Sequence, residues 1–338
     1  MRNPVYCVIP SWNAVDYVGA CIESLQKQTL QPTIVVVENG SIDGSAEYIA
    51  KNYPDVVILQ QPKNLGFAGG VNVGIRYAIK QDAEFVALFN NDAVADKAWL
   101  SGLVNAAKKY PEAGIVTGKF ADIHNTHLDS TGDIYTTWGL PFPRGRGEKV
   151  SNKYDHDNWV FGATGGASLY RTKMLNDIGL FDEDFFAYYE DIDISFRAQL
   201  AGWKVYFEPS AIAYHQMGAT SGKIKGFTTY QTHKNFPMLL WKNVPMGLMP
   251  MIFPRLFFAY WTFVFSAIAR GQPWPAIKGQ LKALVLLPKK LSERRTIQNN
   301  KRVSDDYIRS ILTYDLPPNA TKLRRVRAGW WRVTRRTT

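Results

Sequence analysis

Cysteine is scarce in this chain of 338 residues, which contains only Cys7 and Cys21. Two cysteines without metal-ligand spacing provide neither a disulfide framework nor a cysteine-based zinc site, and such low usage is typical of a reducing cytosol. Cys7 lies in the apolar run VYCVI and Cys21 in a helical pattern, so we expect both side chains to be buried. The chain begins without a charged-then-apolar leader, and we therefore expect a cytoplasmic protein.

The common phosphate-binding glycine loops are also missing. No GxxxxGK[ST] sequence occurs and no GxGxxG opens the first predicted helix, which excludes a P-loop and a standard dinucleotide-binding turn. Internal repeats and low-complexity tracts are absent. Hydrophobic residues make up 46% of the chain and charged residues 20%, a globular composition sufficient for one large domain or two modest ones.

Acidic residues are in the minority, with 29 Asp and Glu against 40 Lys and Arg and a net charge of +11. The tail from Lys322 to Arg336 carries seven basic residues and no acidic one. Such a charge predicts a polyanionic partner. Nucleic acid is disfavoured, because aromatic and basic residues are interleaved only at Trp330-Trp331-Arg332. The same composition suits an anionic membrane surface.

Apolar runs of strand length alternate with helical patterns through the first 120 residues. The strands are predicted at Val5–Ile9, Thr33–Val37, Val56–Leu59, Phe85–Phe89 and Gly114–Thr117, and the helices at Val15–Gln28, Ser45–Asn52, Gly70–Lys80 and Lys97–Lys109. This alternation predicts an α/β fold with a mostly parallel central sheet flanked by helices. After an irregular segment, 121–159, we expect a strand at Ala167–Arg171, a helix at Asp191–Ala201 and two short strands at Lys204–Phe207 and Ala211–Tyr214.

Polar residues follow three of the predicted strands, at Pro10-Ser11-Trp12, Glu38-Asn39-Gly40 and Asn90-Asn91-Asp92. Ligands of such sheets bind at the carboxyl ends of the strands. A carboxylate placed there can hold Mg²⁺ or Mn²⁺ against a diphosphate, because these ions prefer oxygen ligands. The residues alone leave a second interpretation open, in which Asp92 only caps the next helix.

A second acidic group lies in FDEDFFAYYEDIDISFRAQLAG, residues 181–202. Glu190 and Asp191 stand at the predicted start of a helix, where carboxylates favour the helix dipole and one of them could serve as a general base. Helix capping is the structural alternative. Asp193 and Arg197 are four residues apart, which predicts a supporting ion pair.

Two further features have both a functional and a structural interpretation. His215 closes the apolar run AIAYH and precedes Gly218 and Thr220-Ser221-Gly222, where an imidazole could bind a metal beside Asp92 or serve as an ordinary structural histidine. The glycine-rich run NLGFAGGVNVG, residues 64–74, opens a helix and could bring backbone close to a nucleotide or form a tight packing turn.

Taken in order, these blocks resemble family 2 of the glycosyltransferases, and closest among them the rhamnosyltransferase-like bacterial branch that builds cell-surface polysaccharides. The blocks are VIPSWNAVDYV, VVVENGSIDGS, NLGFAGGVNVG, LFNND, FGATGGASLYR, FDEDFFAYYEDIDISFR and AYHQMGATSG, and the resemblance covers roughly residues 3–235. It implies a GT-A fold, an inverting transfer to a hydroxyl of a glycan or lipid-linked glycan, a UDP- or dTDP-linked sugar donor (rhamnose among the candidates) and a divalent metal, Mn²⁺ or Mg²⁺.

The resemblance also assigns roles to residues. The nucleotide-sugar contacts carried over are Pro10, Ser11, Trp12, Glu38, Asn64, Gly69, Asn91 and Asp92. Asp92 and His215 become the metal ligands, Asp191 the general base with Glu190 in support, and Asp43 a helix cap. Of the family's DXD-type metal motif, this chain keeps only the final acid, Asp92. Glu38 stands where the family usually has Asp. These departures leave open a catalytically weak nucleotide-sugar-binding scaffold, although retention of Asp191 and His215 argues against it.

The last third of the chain differs in composition. We predict a catalytic domain over residues 1–235 and a helical, apolar and basic region over 236–338. Within Met246–Ala269 the uninterrupted stretch Leu256–Ala269 has 14 residues, short of the roughly 20 that span a membrane. Together with Ala276–Leu287, it suits helices at the membrane interface, which predicts a peripheral location at the inner face of the cytoplasmic membrane. An apolar helical pair packed on the catalytic domain or in a homo-oligomer is the alternative.

Overall fold

A computed structural model describes residues 5–156, 158–216, 224–318, 320, 321, 323 and 324. Gly218, the Thr220–Gly222 segment and the basic tail beyond residue 324, all named in the sequence analysis, lie outside these residues, as does Lys322.

The described residues form twelve strands and ten α-helices. The strands are β1 (Val5–Ser11), β2 (Thr33–Glu38), β3 (Val57–Gln60), β4 (Phe85–Phe89), β5 (Ala93–Ala95), β6 (Ala113–Asp122), β7 (Leu128–Ser130), β8 (Asp133–Tyr135), β9 (Pro141–Pro143), β10 (Trp159–Val160), β11 (Ala167–Arg171) and β12 (Lys204–His215). The helices are α1 (Val15–Gln26), α2 (Ser45–Asn52), α3 (Gly66–Lys80), α4 (Trp99–Lys109), α5 (Thr172–Ile178), α6 (Glu190–Leu200), α7 (Phe227–Asn243), α8 (Met249–Ala269), α9 (Pro273–Asn299) and α10 (Asp305–Ile311).

One large mixed sheet organises the molecule, with the path β10-β12-β6-β11-β4-β1-β2-β3. The half formed by β4, β1, β2 and β3 is parallel, as the alternation of strands and helices predicts. The other half is mixed, because β11 runs antiparallel between β4 and β6 whereas β12 is parallel to β6. The carboxyl ends of β1, β2 and β4 therefore meet at one edge, where a ligand of such a sheet binds.

Both faces of the sheet are covered by apolar layers. Cys7 and Ile9 of β1 point into the layer shared with α1 and α4, and Val8 points into the layer shared with α3, as alternate residues of a strand must. Cys7 and Cys21 are fully buried free thiols, which confirms the expectation for both. Gly74 of α3 lies so close to β1 that a Cβ atom there would come within 2.3 Å of Val8 Cγ1, so only glycine allows this approach.

Several predicted boundaries are confirmed and some are wrong. Ser45–Asn52, Phe85–Phe89 and Ala167–Arg171 match the structure at both ends. The two short strands predicted after residue 203 are one strand, β12, with a register irregularity between Glu208 and Ile212. The irregular segment 121–159 contributes the short strands β7, β8 and β9, of which β7 pairs with β6 and β8 with β9.

The C-terminal helices share a core with the rest of the protein. Phe236 and Leu239 of α7, and Ile252 and Leu256 of α8, pack in one buried cluster with residues such as Phe196 of α6. The predicted domain boundary at 235/236 lies inside α7, and we propose to move it to the start of that helix. The helix that contains the apolar stretch Leu256–Ala269 is longer than that stretch, because α8 continues through Pro254 and Arg255 over 21 residues. By length and composition alone, Met246–Ala269 is the one helix among the described residues that could cross a membrane.

Candidate functional site

A cavity of about 860 Å³ opens at the carboxyl edge of the parallel strands. Nine of the eleven predicted site residues line it. They are Pro10, Ser11, Trp12, Asn64, Asn91, Asp92, Glu190, Asp191 and His215. Asn90, which ends β4, lines it as well. The cavity therefore brings together side chains that lie as far apart as 205 positions in the sequence, from Pro10 to His215.

Glu38 and Gly69 are absent from the described lining of the cavity. Glu38 is buried at the end of β2, and its carboxylate accepts hydrogen bonds of 3.1 and 3.2 Å from the backbone N–H of Ser41. It thus closes the turn after β2. Gly69 lies in α3, where a Cβ atom would meet Cβ of Leu65 at 2.7 Å. The structure therefore places both residues behind the cavity surface.

Asn39 takes the position at the cavity that the sequence analysis gave to Glu38. Its amide donates to Asn64 Oδ1 (3.2 Å) and to the carbonyl of Gly66 (3.0 Å), and its Oδ1 accepts from the N–H of Leu65 (2.9 Å). Asn39 thereby ties the end of β2 to the glycine-rich loop. Successive strand residues face opposite sides, so the register could not be set from the sequence to within one residue.

Asp92 and His215 are neighbours, as the sequence predicts for metal ligands. His215 Nε2 lies 3.2 Å from Asp92 Oδ1, and the ring stacks on Phe120. Strand β12 places His215 there because its last residues pair with β5, directly after Asp92. Burial opposes a charge on His215, but hydrogen bonds to Asp129 and Asp92 raise its pKa to about 9.

Asp129 and Arg146 belong to this group, and sequence reasoning missed both. Asp129 Oδ2 lies 2.9 Å from His215 Nδ1, and its Oδ1 accepts a 2.8 Å hydrogen bond from Arg146 Nε. Although burial opposes it, His215 and Arg146 hold the pKa of Asp129 below its ordinary value. A carboxylate on the far nitrogen of a histidine is the usual way to orient a metal-binding imidazole. With carboxylate and imidazole donors side by side, the Asp92–His215 pair fits Mn²⁺ or Mg²⁺.

Glu190 and Asp191 begin α6 at the wall of the cavity, as predicted. Burial raises the pKa of both carboxyl groups. Asp191 accepts hydrogen bonds from the N–H groups of Gly165 (3.2 Å) and Ile192 (2.8 Å), which favour its ionised form. Within the described residues Glu190 Oε2 has no hydrogen-bond partner, and the charge of Asp191 raises the pKa of Glu190 further. The charged form of Asp191 is therefore better supported by hydrogen bonds than that of Glu190.

The chain as a whole is similar to known proteins in sequence and in fold. The model of a family described as Glycosyl transferase family 2 matches residues 6–179, which is more than half of the chain. The chain belongs to this family. It is a glycosyltransferase, and the resemblance described for its sequence is confirmed.

Two curated relatives illustrate the range of the family. A Mycobacterium tuberculosis protein named N-acetylglucosaminyl-diphospho-decaprenol L-rhamnosyltransferase is 27% identical over 246 residues, which cover 66% of this chain and 79% of the relative. Staphylococcus aureus poly-beta-1,6-N-acetyl-D-glucosamine synthase is 24% identical over 191 residues, which cover 56% of this chain and 44% of the synthase.

Solved structures confirm the GT-A fold. TarS 1–349 from S. aureus superposes with a TM-score of 0.54 at 17% identity, covering 87% of this chain and 90% of TarS. A Pyrobaculum calidifontis mannosyltransferase in complex with GDP-Man and Mn²⁺ gives a TM-score of 0.53 at 16% identity, covering 89% of this chain and 85% of the mannosyltransferase. At these identities the likeness concerns the fold alone.

The segment immediately before Glu190 and Asp191 has an unusual backbone. Phe186, Tyr188 and Tyr189 have φ values of +62°, +68° and +72°, a region that costs a non-glycine residue about 1–2 kcal/mol. Gly66 makes room for this segment, because a Cβ atom there would lie 2.4 Å from the carbonyl oxygen of Phe186. Gly66 lines the cavity, so it is the glycine of the glycine-rich block that shapes the site directly.

Helix α7 holds the same segment from the other side. The amide of the fully buried Asn235 donates to the carbonyl oxygens of Phe185 (3.1 Å), Ala187 (3.0 Å) and Tyr188 (2.7 Å). Beside it, Lys234 Nζ donates to the carbonyl of Phe185 at 3.1 Å. We call these contacts the 185–188 clamp. The clamp fixes the backbone immediately before Glu190 and Asp191, and it comes from a helix that the sequence analysis divided between two domains.

A second acidic group lies outside the cavity. Asp182, Asp184 and Glu293 have carboxylates close enough to share a metal ion. Their charge is already matched, because Lys290 Nζ lies 2.8 Å from Asp184 and 2.9 Å from Glu293, and Lys242 Nζ lies 2.6 Å from Asp182. We call this group the α9 ion-pair network. It joins α9 to the residues before α6, and it is better explained as a structural network than as a metal site.

The predicted pair of Asp193 and Arg197 is confirmed as structural. Their side chains meet at 2.9 Å with both residues buried, and Lys242 also contacts Asp193. The predicted role of Asp43 is confirmed too. Its carboxylate accepts from the N–H of Ser45 at the start of α2 and from the N–H of Val15 at the start of α1.

Proposed function

We propose that this glycosyltransferase moves a sugar from a nucleoside diphosphate donor to a hydroxyl of a glycan or lipid-linked glycan, with inversion at the anomeric carbon. The observation that supports this most strongly is the single cavity that holds the Asp92–His215 pair together with the buried carboxylate of Asp191. The Asp92–His215 pair suits a leaving diphosphate, and the carboxylate of Asp191 suits an attacking hydroxyl. A single base is what a single displacement requires.

The chemistry assigned to the chain's own residues follows from their positions. Asp191 takes the proton of the acceptor hydroxyl as that oxygen bonds to the anomeric carbon. The bond from this carbon to the diphosphate breaks on the opposite face, and its electron pair leaves with the diphosphate. The N–H groups of Gly165 and Ile192 orient the Asp191 carboxylate and favour its ionised form against the effect of burial. Charge neutralisation on the leaving diphosphate is what a divalent metal would supply at Asp92 and His215.

Rhamnose is the sugar that we propose to test first. The M. tuberculosis relative is named as an L-rhamnosyltransferase that acts on a lipid-linked diphosphate, and its similarity to this chain covers most of its length. The donor would then be dTDP- or UDP-linked, with Asn39, Asn64 and Asn91 facing its nucleotide from the cavity wall. The product would enter cell-surface polysaccharide synthesis at the cytoplasmic face of the membrane.

The proposal is tested by measuring thermal unfolding of the purified chain with a panel of nucleotide-sugars, each with and without Mn²⁺. A ligand that binds only the folded state stabilises it by mass action, by about 2.7 kcal/mol at a concentration 100 times its Kd. We expect a dTDP- or UDP-sugar to raise the unfolding temperature, and to raise it more with Mn²⁺. If no nucleotide-sugar stabilises the protein, the proposed function is wrong.

A further inference from the structure

Helices α8 and α9 leave large apolar side chains uncovered. On α8, Phe253, Phe257, Trp261 and Phe265 follow one another at intervals of four residues and are 41–65% exposed. Each ring contacts the next, with centroids 6.1–6.2 Å apart. On α9, the corresponding residues are Trp274, Ile277, Leu281, Leu284 and Val285. We call these nine residues the α8–α9 surface. Exposed apolar area of this extent marks an interaction site.

The opposite face of α8 is covered by the catalytic part of the protein. Ile252, Leu256 and Ala259 are buried there, and Gly139 approaches so closely that a Cβ atom would lie 2.9 Å from Ile252 Cγ2. Helix α8 is thus apolar on its outer side and packed against protein on its inner side. A helix that crosses a bilayer alone is surrounded by lipid, whereas one that lies in the interface has one face free. The packing favours the second arrangement.

The charge around this surface has one sign. The sequence contains no Asp or Glu between Glu208 and Glu293, an interval that includes all of α7, α8 and the first two thirds of α9. Lys278 and Lys282 are exposed among the apolar residues of α9, and Lys278 lies over the ring of Trp274 at 5.3 Å. Two copies of this surface would bring cations against cations. A layer of anionic headgroups offers the complementary charge.

The same helix borders the cavity. Phe263 of α8 and Arg270 in the turn after it line the cavity, opposite Thr229 and His233 of α7. Ile268 and Trp274 of the exposed apolar region flank this turn. A lipid-linked substrate held at the α8–α9 surface would therefore have its polar end next to the cavity that contains Asp191.

We propose that the α8–α9 surface docks this enzyme on the surface of an anionic phospholipid bilayer. The aromatic residues of α8 insert among the headgroups, Lys278 and Lys282 contact the anionic lipids, and the cavity faces the bilayer beside Arg270. The docking itself stands on the exposed surface and its charge. Only the identity of the lipid-linked acceptor rests on the proposed function.

The test is co-sedimentation of the full chain with vesicles made of equal parts of phosphatidylglycerol and phosphatidylcholine, and with vesicles of phosphatidylcholine alone. We expect binding to the anionic vesicles that weakens with added salt. Replacing Phe257, Trp261 and Phe265 together by Glu should lower binding at least about tenfold, because interfacial affinity scales with the apolar area inserted. Replacing Lys278 and Lys282 by Gln should lower it roughly 25-fold, or about fivefold per lysine.

Matched controls separate this surface from exposed apolar residues in general. Ile42 and Ile123 are also exposed but lie far from α8 and α9 in the chain, and their joint replacement by Glu should leave vesicle binding unchanged. All variants should retain the stabilisation by nucleotide-sugar, which tests the proposed function separately. Failure of the wild-type chain to bind anionic vesicles, or equal binding by the triple variant, overturns the proposal. A wild-type dimer that the triple variant converts to a monomer, without vesicle binding, overturns it in favour of a contact between two copies of the chain.

Discussion

At the scale of single residues, the site depends on side chains that orient other side chains. Asp129 lies in β7 at the cavity, holds His215 through Nδ1 and is itself held by Arg146. The ring nitrogen facing Asp92 is thereby fixed as Nε2. The His215 imidazole must be neutral to bind a metal, so a metal ion would replace the proton that this ring now shares with Asp92.

We therefore expect Asp129→Asn to weaken Mn²⁺ binding about 10- to 100-fold, because outer-shell partners of metal-bound histidines typically contribute that much. The measurement is Mn²⁺ titration of the enzyme without donor, followed by calorimetry or by the spin-resonance signal of free Mn²⁺. Asp155→Asn is the control, since Asp155 pairs with Lys119 and is absent from the described cavity lining. Equal Mn²⁺ affinity in Asp129→Asn and the wild type would show that Asp129 does not support metal binding through His215.

At the scale of elements, α7 holds the backbone immediately before Glu190 and Asp191. Three residues with positive φ precede Glu190, and the two hydrogens of the Asn235 amide are shared among three carbonyl oxygens of this segment. Such strain persists only where surrounding structure enforces it. The 185–188 clamp is therefore a positioning device for Asp191.

Asn235→Ala should lower kcat about 100-fold while leaving the donor Kd nearly unchanged, because a misplacement of about 1 Å at the reacting groups can cost that much. The measurement is donor turnover under saturating substrate together with the thermal shift caused by donor. Asn52→Ala is the matched control, since its amide donates to one carbonyl, that of Tyr48, on an exposed helix end. A folded Asn235→Ala variant with normal kcat would contradict the role of the 185–188 clamp in positioning Asp191. If that variant does not fold, the same comparison is made with Asn235→Ser, which keeps a donor group.

The elements also show what sequence could and could not predict. Strands and helices of the first 120 residues follow from local apolar periodicity, and the acids at strand and helix ends follow from the fold class. Asp129 and Arg146 lie in the segment 121–159, which has no periodicity, and they reach the site only through pairings made after the chain has folded. The choice between Glu38 and Asn39 depends on a single step of strand alternation. Asn235 was missed because its partners are carbonyl groups, which leave no trace in a sequence motif.

At the scale of the whole molecule, buried ion pairs attach helix α9 to the rest of the protein. Lys290 is fully buried and contacts Asp182, Asp184 and Glu293, so α9 is fixed to the residues that precede the 185–188 clamp. Lys242 and Lys290 hold the pKa of Asp182 well below its usual range against the effect of burial. A carboxyl with a lowered pKa stabilises the fold above its unfolded pKa of about 3.9 and loses that contribution as pH falls.

Lys290→Met should accordingly destabilise the protein by about 3 kcal/mol, because it removes the fully buried cation that Asp182, Asp184 and Glu293 share and leaves only Lys242 and Lys289 beside them. The adjacent Lys289→Met should cost less than about 1 kcal/mol, since Lys289 is 59% exposed and pairs with Asp184 at the surface. Urea unfolding at neutral pH measures both. Similar losses for the two variants would mean that the α9 ion-pair network does not anchor the helix.

The central claim is that Asp191 is the base of an inverting sugar transfer, and adjacent isosteric variants test it most directly. The measurement is release of nucleoside diphosphate from the donor that most stabilises the enzyme, with Mn²⁺ and a lipid extract as the source of acceptor, for the wild type, Asp191→Asn and Glu190→Gln. We predict that Asp191→Asn lowers release by 10²- to 10⁴-fold with the donor-induced thermal shift retained. Glu190→Gln should lose far less, because burial and the charge of Asp191 raise the pKa of Glu190 and disfavour its charged form. Wild-type turnover by Asp191→Asn, or equal losses in the two variants, would contradict the assignment.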